Sequence, residues 1–311
     1  MYYPYFRGKQ FELLTIRETA GLLAQSGFVP IIEPVKGALG GLERTLKVIC
    51  AAEGKAIVVV NPNFGEHAND GADITALLRE NFAGAIGICA GILLKDGMSI
   101  DDAFAFYEEH RRHRPVFIHA GFGEPKILAE KLGNDLATTQ HVFIEEHCGK
   151  LYWRHFRHSM RILLRDGFKR RKNADYPPVE QFSDLHVTFE EEGMNGFGDF
   201  LTVGDDYSEG GGPAYAVAIH LTYINPGKDD VMDVYHFLST TNNTPTDPAG
   251  KFGQALEKLI ALINSGHSHL FESSAIGEFR DLHAKKHFPG LGSVKKLSMK
   301  HHIETLANYL S

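Results

Sequence analysis

Over roughly its first 205 residues the chain alternates short, nearly continuous apolar runs with stretches of helical periodicity, and this alternation limits the fold more than any other feature. The runs V-P-I-I, A-I-V-V-V, P-V-F-I, H-V-F-I and R-I-L-L lack the in-out pattern of a half-exposed strand. They predict strands covered on both faces. Eight candidates follow in order: Tyr2–Phe6, Phe28–Ile32, Ala56–Val60, Gly84–Ile88, Val116–His119, His141–Ile144, Arg161–Leu164 and Phe197–Val203. Between them helical spacing predicts Gln10–Gln25 ending at Gly27, Leu42–Ala52, Ile74–Phe82, Ile100–His110 and Pro125–Leu132, with Ser99 and Asp102 opening the fourth as a capping box. Strand-helix alternation of this kind gives parallel strands joined by crossover helices, and eight of them give a (β/α)8, TIM-like barrel.

After Asp205 the pattern changes. Ser208–Pro213 reads as a loop, and two alternating runs, Ala214–Ile224 and Val231–Ser239, are joined by the turn sequence N-P-G-K-D-D. They predict an antiparallel β-hairpin. Three helices follow, Lys251–Asn264, Ser274–Lys285 and Ser298–Leu310, with Asp247 as a cap and Pro248 at the first position. A chain of 311 residues suits one barrel with additions. The expected organisation is a single domain, 1–311, with a hairpin elaboration at 208–240 and C-terminal helices at 248–311.

The net charge of -7 argues against nonspecific coating of nucleic acid, which needs a broad basic face. No run of about 18 apolar residues could span a bilayer and no signal-peptide layout opens the chain, so the expected location is cytoplasmic, away from membranes. Three cysteines without C-x-x-C spacing are read as reduced thiols. The seventeen histidines are scattered, and their i, i+3 pairs read as polar surface rather than metal ligands.

Chemistry in such a barrel belongs at the carboxyl ends of the strands. The most charged of these ends is the loop within Ser159–Pro177, where Asp166, Lys169, Arg170 and Arg171 follow the run Ile162–Leu164. A cation density of that kind is relieved by solvent or by an anion such as phosphate. Two chemistries fit the rim. In the first, Glu33, Glu145, Asp166 and Asp205 bind Mg²⁺ or Mn²⁺, since crowded carboxylates repel unless a cation joins them. Arg7, Lys9, Lys36, Asn61, Lys169, Arg170 and Arg171 then hold a phosphate-containing small molecule. His119, Glu33 and Asp166 are the catalytic set, with His119 as general acid or base. In the second, Lys9 or Lys36 is a nucleophile of lowered pKa with no metal. The first is preferred, so the expected activity is that of an enzyme on a phosphorylated or nucleotide-like substrate. The glycine runs Gly37–Gly41 and Gly210–Pro213 match no phosphate-loop fingerprint, and Asp199 in G-F-G-D-F is read as placed by a strand.

The opening Y-Y-P-Y-F-R-G-K-Q-F-E, the V-P-I-I-E-P-V strand, R-K-N-A-D-Y-P, G-F-G-D-F and the tail F-P-G-L-G-S-V-K-K-L-S-M-K-H-H together resemble, over essentially the whole chain, a bacterial family of about 300 residues that is distantly similar to the "beta protein" family of phages and bacteria. The resemblance implies a link to mobile or defence-related gene sets. It carries over no catalytic residue. It also frames the alternative, a non-catalytic scaffold or effector-binding subunit that meets a protein partner or a second copy through 214–239. In that reading Tyr215, Val217, Ile219, Leu221 and Tyr223 supply one apolar strand face.

Overall fold

Residues 1–311, except Asn69, Gly211, Pro213 and Ala214, are described by a computed structural model. Their internal contacts divide them into two units, Met1–Arg165 with Thr188–Asp199, and Asp166–Val187 with Phe200–Ser311. No described helix is long and apolar enough to cross a membrane.

The strands, in chain order, are β1 (Tyr5–Phe6), β2 (Ile31–Ile32), β3 (Ala56–Val59), β4 (Ile88–Lys95), β5 (Val116–Ala120), β6 (Gln140–Ile144), β7 (Met160–Leu164), β8 (Val179–Ser183), β9 (Gly196–Gly198), β10 (Ala218–Asn225) and β11 (Val231–Leu238). In the first unit β1 to β7 and then β9 form one eight-stranded parallel sheet in sequential order. Tyr2 bridges Phe197, and the backbone N–H groups of Tyr3 and Tyr5 donate to Phe197 and Asp199 carbonyls at 2.8 and 2.9 Å. The sheet is thereby a nearly closed barrel. Glycine is required at 198, where a Cβ would lie 2.0 Å from the Tyr3 carbonyl oxygen. The Asp199 carboxylate accepts the Tyr2 hydroxyl at 2.7 Å, so it ties the closing strand to the opening one.

Two strand expectations are corrected. The fourth strand is Ile88–Lys95 rather than Gly84–Ile88, because residues 82–88 form a turn in which Ala85 and Ile88 N–H groups donate to Phe82 and Ala85 carbonyls. The eighth stops at Gly198 rather than Val203, since Val203 and Gly204 N–H groups fold back onto the Phe200 carbonyl with Leu201 at φ 52°.

In the second unit β10 and β11 form the expected hairpin, and β8 adds to it as a third antiparallel strand. The odd-numbered face of β10 packs against the helices Pro248–Asn264, Ser274–Ala284 and Leu291–Tyr309. Val217, Ile219 and Leu221 meet Phe252, Leu259, Phe279 and Leu297 there in a continuous apolar core. The face expected to dock a partner is therefore corrected: four of its five residues are buried in this unit, and Tyr215 alone is exposed.

Candidate functional site

A cavity of about 280 Å³ opens where the chain leaves β1 and β2. Three cations line it, Arg17, Lys36 and Arg44, and no carboxylate does. Gln10 and Gly41, which also line it, lie in the first turns of the helices Gln10–Gln25 and Gly40–Ala51, neither of which has a side-chain cap. Uncapped N–H groups and the positive end of each helix favour an anion at such a place.

Immediately before two lining residues, Gly8 and Pro34, stand Arg7 and Glu33, a buried ion pair. Glu33 Oε2 also accepts the Tyr5 hydroxyl at 2.8 Å, and Oε1 accepts the Asn63 N–H at 2.7 Å. The Arg7 guanidinium lies over the Phe64 ring, 4.8 Å from its centroid. Glu33 is thus engaged through both oxygens and orients Arg7. Glu12, in the first turn of Gln10–Gln25, is 6% exposed. Burial raises its pKa, while the charges of Lys9 and Arg7 and the backbone N–H groups of Arg7 and Lys9 pull it down. Its Oε2 has no hydrogen-bond partner among the described residues.

A second cavity, of about 350 Å³, lies beyond β3 and β4 and is lined by His67, Asp70, Lys95, Asp96 and Asp102 among others. His67 is 5% exposed, and its Nε2 has no hydrogen-bond partner among the described residues. The loop that carries it is fixed at Gly65, where φ is +78° and a Cβ would stand 2.1 Å from the Val35 carbonyl oxygen. Asn61 lines this cavity, but its amide is spent on β4: Nδ2 donates to the Leu93 carbonyl at 2.9 Å and Oδ1 accepts the Leu93 N–H at 2.8 Å.

His119 is not at the rim. It packs against the helical segment Lys150–Phe156, between Phe143 and Phe156 at ring-centroid distances of 4.7 Å each. Its Nδ1 meets the Tyr152 hydroxyl at 2.7 Å and its Nε2 meets His141 Nδ1 at 2.9 Å, while His141 Nε2 meets Thr139 Oγ1 at 2.9 Å. Thr139 donates its own proton to the Leu136 carbonyl, so the polarity of the whole chain is set from that end. Tyr152 donates to His119, His119 to His141, and His141 to Thr139. Burial and the neighbouring His141 hold His119 well below the usual histidine range, and burial pushes His141 down to about 3. Both rings are neutral and fully occupied, so the general acid-base role expected of His119 is corrected to a structural one.

The four carboxylates expected to share a metal divide between the units: Glu33 and Glu145 lie in the first, Asp166 and Asp205 in the second. Glu145 is held by Arg165 through two bonds of 2.6 and 2.9 Å. Asp166 accepts the backbone N–H groups of Phe168 and Asp205 at 2.9 and 2.8 Å. Among the described residues no group of three or more His, Cys, Asp or Glu side chains is placed to hold a metal ion. In the same loop Lys169 is exposed, Arg170 donates to the Asp206 carbonyl at 2.9 Å, and Arg171 donates to Glu180 at 3.0 Å. The glycine run Gly210–Pro213 lies partly outside the described residues.

Lys36 is thus the expected ligand-binding residue that reaches a cavity with its charge uncommitted to any seen partner, while Lys9 caps the adjoining helix by position alone. Glu12, Arg17, Arg44, His67 and Lys95 were not marked by the sequence pattern. Lys95 ends a strand that lies beyond its expected place, and the others lie in helices or a loop where only the tertiary fold distinguishes them. Comparison of the chain with protein-family models, with curated proteins and with solved structures gave no match.

Proposed function

We propose that the first unit is a (β/α)8 barrel of the TIM type and an enzyme that binds a phosphorylated, nucleotide-like small molecule beyond β1 and β2. The observation that carries this reading is a cavity lined by three cations and no carboxylate, with two uncapped helix starts beside it. Lys36, Arg17 and Arg44 take the phosphate as charge partners, and the arginine forks add direction. The mixed donors and acceptors beyond β3 and β4 suit the hydroxyl-bearing remainder of the same substrate. Glu12, a buried carboxyl with a raised pKa in the same helix turn as the lining residues Gln10 and Leu13 of the first cavity, is the group best suited to carry a proton beside it. The described residues that line this cavity offer Mg²⁺ or Mn²⁺ no carboxylate, so either ion would be held by the substrate's own phosphate oxygens. The distant similarity to the beta protein family, with its bacterial or phage setting, and the cytoplasmic location belong to the same proposal.

Thermal shift and calorimetry with inorganic phosphate, a pentose 5-phosphate and a nucleoside monophosphate, each with and without Mg²⁺, test it. A ligand at about 100 times its dissociation constant stabilises by about 2.7 kcal/mol, which raises Tm by several degrees. Lys36→Ala with Arg44→Ala, both on the surface, is expected to abolish the shift and leave the unliganded Tm in place. No shift with any of these ligands, or one that the double variant retains, rules the site out. The scaffold alternative loses its main support, because the hairpin face that it requires is covered by the chain's own helices.

A further inference from the structure

The second unit holds a buried polar chain that the barrel site does not use. His220 on β10 and His236 on β11 are directly opposed in the antiparallel register, with their Nδ1 atoms 2.6 Å apart. His236 Nε2 lies 3.1 Å from Glu180 Oε1 on β8, and Arg171 donates to the other oxygen of Glu180 at 3.0 Å. Each contact fixes the next. Glu180, paired with Arg171, only accepts, so the proton of His236 sits on Nε2. His236 Nδ1 is then a lone pair and must accept from His220 Nδ1–H. The remaining nitrogen, His220 Nε2, is left as a bare lone pair.

Nothing closes the chain at that end. Among the described residues no group hydrogen-bonds to His220 Nε2, and the His220 side chain is only partly buried. Its ring is steadied by Phe168 and Tyr176, at ring-centroid distances of 5.0 and 4.7 Å, both from the charged loop that precedes β8. The charged and titratable groups that face the pair are Glu180, Arg171, Tyr176 and Lys295. Burial, and after it the neighbouring His236 and Lys295, hold His220 well below the usual histidine range. Burial likewise lowers His236 to about 4 against the opposing pull of Glu180. Both rings are neutral near pH 7, as a base must be before it acts.

We propose that Glu180, His236 and His220 form a proton relay whose open end, His220 Nε2, is a general base toward a water or the hydroxyl of a small ligand. In the step itself an O–H bond breaks and an Nε2–H bond forms, and the electron pair stays on oxygen. The positive charge gained by His220 is stabilised through His236 by the Glu180 carboxylate. His220 is the group that meets the ligand; His236 and Glu180 position it. This site lies in the second unit and stands whether or not the barrel cavity binds phosphate.

Two measurements on the full chain at pH 7 decide it. Long-range ¹H–¹⁵N spectra are expected to show His220 protonated at Nδ1 alone and His236 at Nε2 alone. Acylation by diethylpyrocarbonate, mapped by mass spectrometry, is expected at His220 at least about tenfold faster than at the buried His301, because the reaction needs a bare, reachable nitrogen. Glu180→Gln is expected to slow His220 several-fold without changing His301, which a merely structural role for Glu180 would not do. A proton on His220 Nε2, or acylation no faster than at His301, overturns the relay. An unchanged His220 rate in a folded Glu180→Gln protein does the same, and the wild-type spectra decide the matter if that variant fails to fold.

Discussion

Each unit holds a pair of hydrogen-bonded histidines, and the two pairs are wired alike but end differently. In the barrel the chain from Tyr152 through His119 and His141 to Thr139 is closed, with a hydroxyl donor at one end and a hydroxyl that itself finds a carbonyl at the other. In the second unit the chain is anchored on the carboxylate of Glu180 and stops at a ring nitrogen with no hydrogen-bond partner among the described residues. A closed chain satisfies buried polar groups and fastens strands to the helical segment outside them. An open one keeps a lone pair in reserve. Burial and lowered basicity are common to both, so neither distinguishes a structural histidine from a reactive one; the last atom of the chain does.

The largest effect expected is of acid, and it falls on both pairs. His119, His141, His236 and His301 have folded pKa values below that of an exposed histidine, His141 near 3 and His236 and His301 near 4. Between those values and about 6.5 the unfolded chain binds more protons than the folded one, so stability rises with pH across that window. It is fully present above pH 7 and is lost on acidification at up to about 1.4 kcal/mol per pH unit for each group. Denaturant unfolding followed from pH 7.5 to 4.5 checks this, and a flat profile across pH 6.5 to 5 would mean that these rings are not held neutral.

Substitution separates the pairs. His141→Ala leaves the His119 Nε2–H buried without an acceptor and opens space beside Phe117 and Phe156, and is expected to cost about 3–5 kcal/mol. His220→Ala, at the open end, is expected to cost only about 1–2 kcal/mol. Equal costs in urea unfolding would erase the distinction drawn here. The same contrast holds for ion pairs inside the barrel unit. Glu33→Ala strands Arg7 in a buried site and is expected to cost about 3–5 kcal/mol. Glu145→Ala frees an Arg165 that keeps access to water, and is expected to cost about 1 kcal/mol or less. A loss at Glu145 as large as that at Glu33 would place Arg165 among the buried charges instead.

Much of the architecture was legible before any coordinate. Continuous apolar runs marked β3, β5, β6 and β7 to within a residue or so, because strands covered on both faces leave no room for polar side chains. The fourth strand was expected at Gly84–Ile88, whose two glycines instead belong to a turn, while the apolar run Ile88–Leu94 lay just beyond it. Val179–Ser183 is short and polar, and becomes a strand only by pairing with residues about fifty positions away. The side of His119 followed from the period of two: it shares a face with Phe117, which lies against Tyr107 outside the strand. The opposition of His220 and His236 was readable too, since both lie equally far from the turn that joins Asn225 to Val231. What no local pattern shows is the burial of Glu12 or His67, which depends on loops brought together from different parts of the chain.

The bond between Tyr2 and Asp199 joins residues 197 positions apart, and the strand that Asp199 follows comes only after the chain has left the first unit for Asp166–Val187 and returned. During synthesis β1 therefore exists for most of the barrel's length as an unpaired edge. A ribosome adding about 5–20 residues per second leaves it so for some ten seconds or more. Closure at so large a separation is entropically late and slow, and an open parallel edge is a template for association with other chains. Shielding of that edge until Gly196–Asp199 arrives is thus a demand on folding separate from the stability of the finished fold.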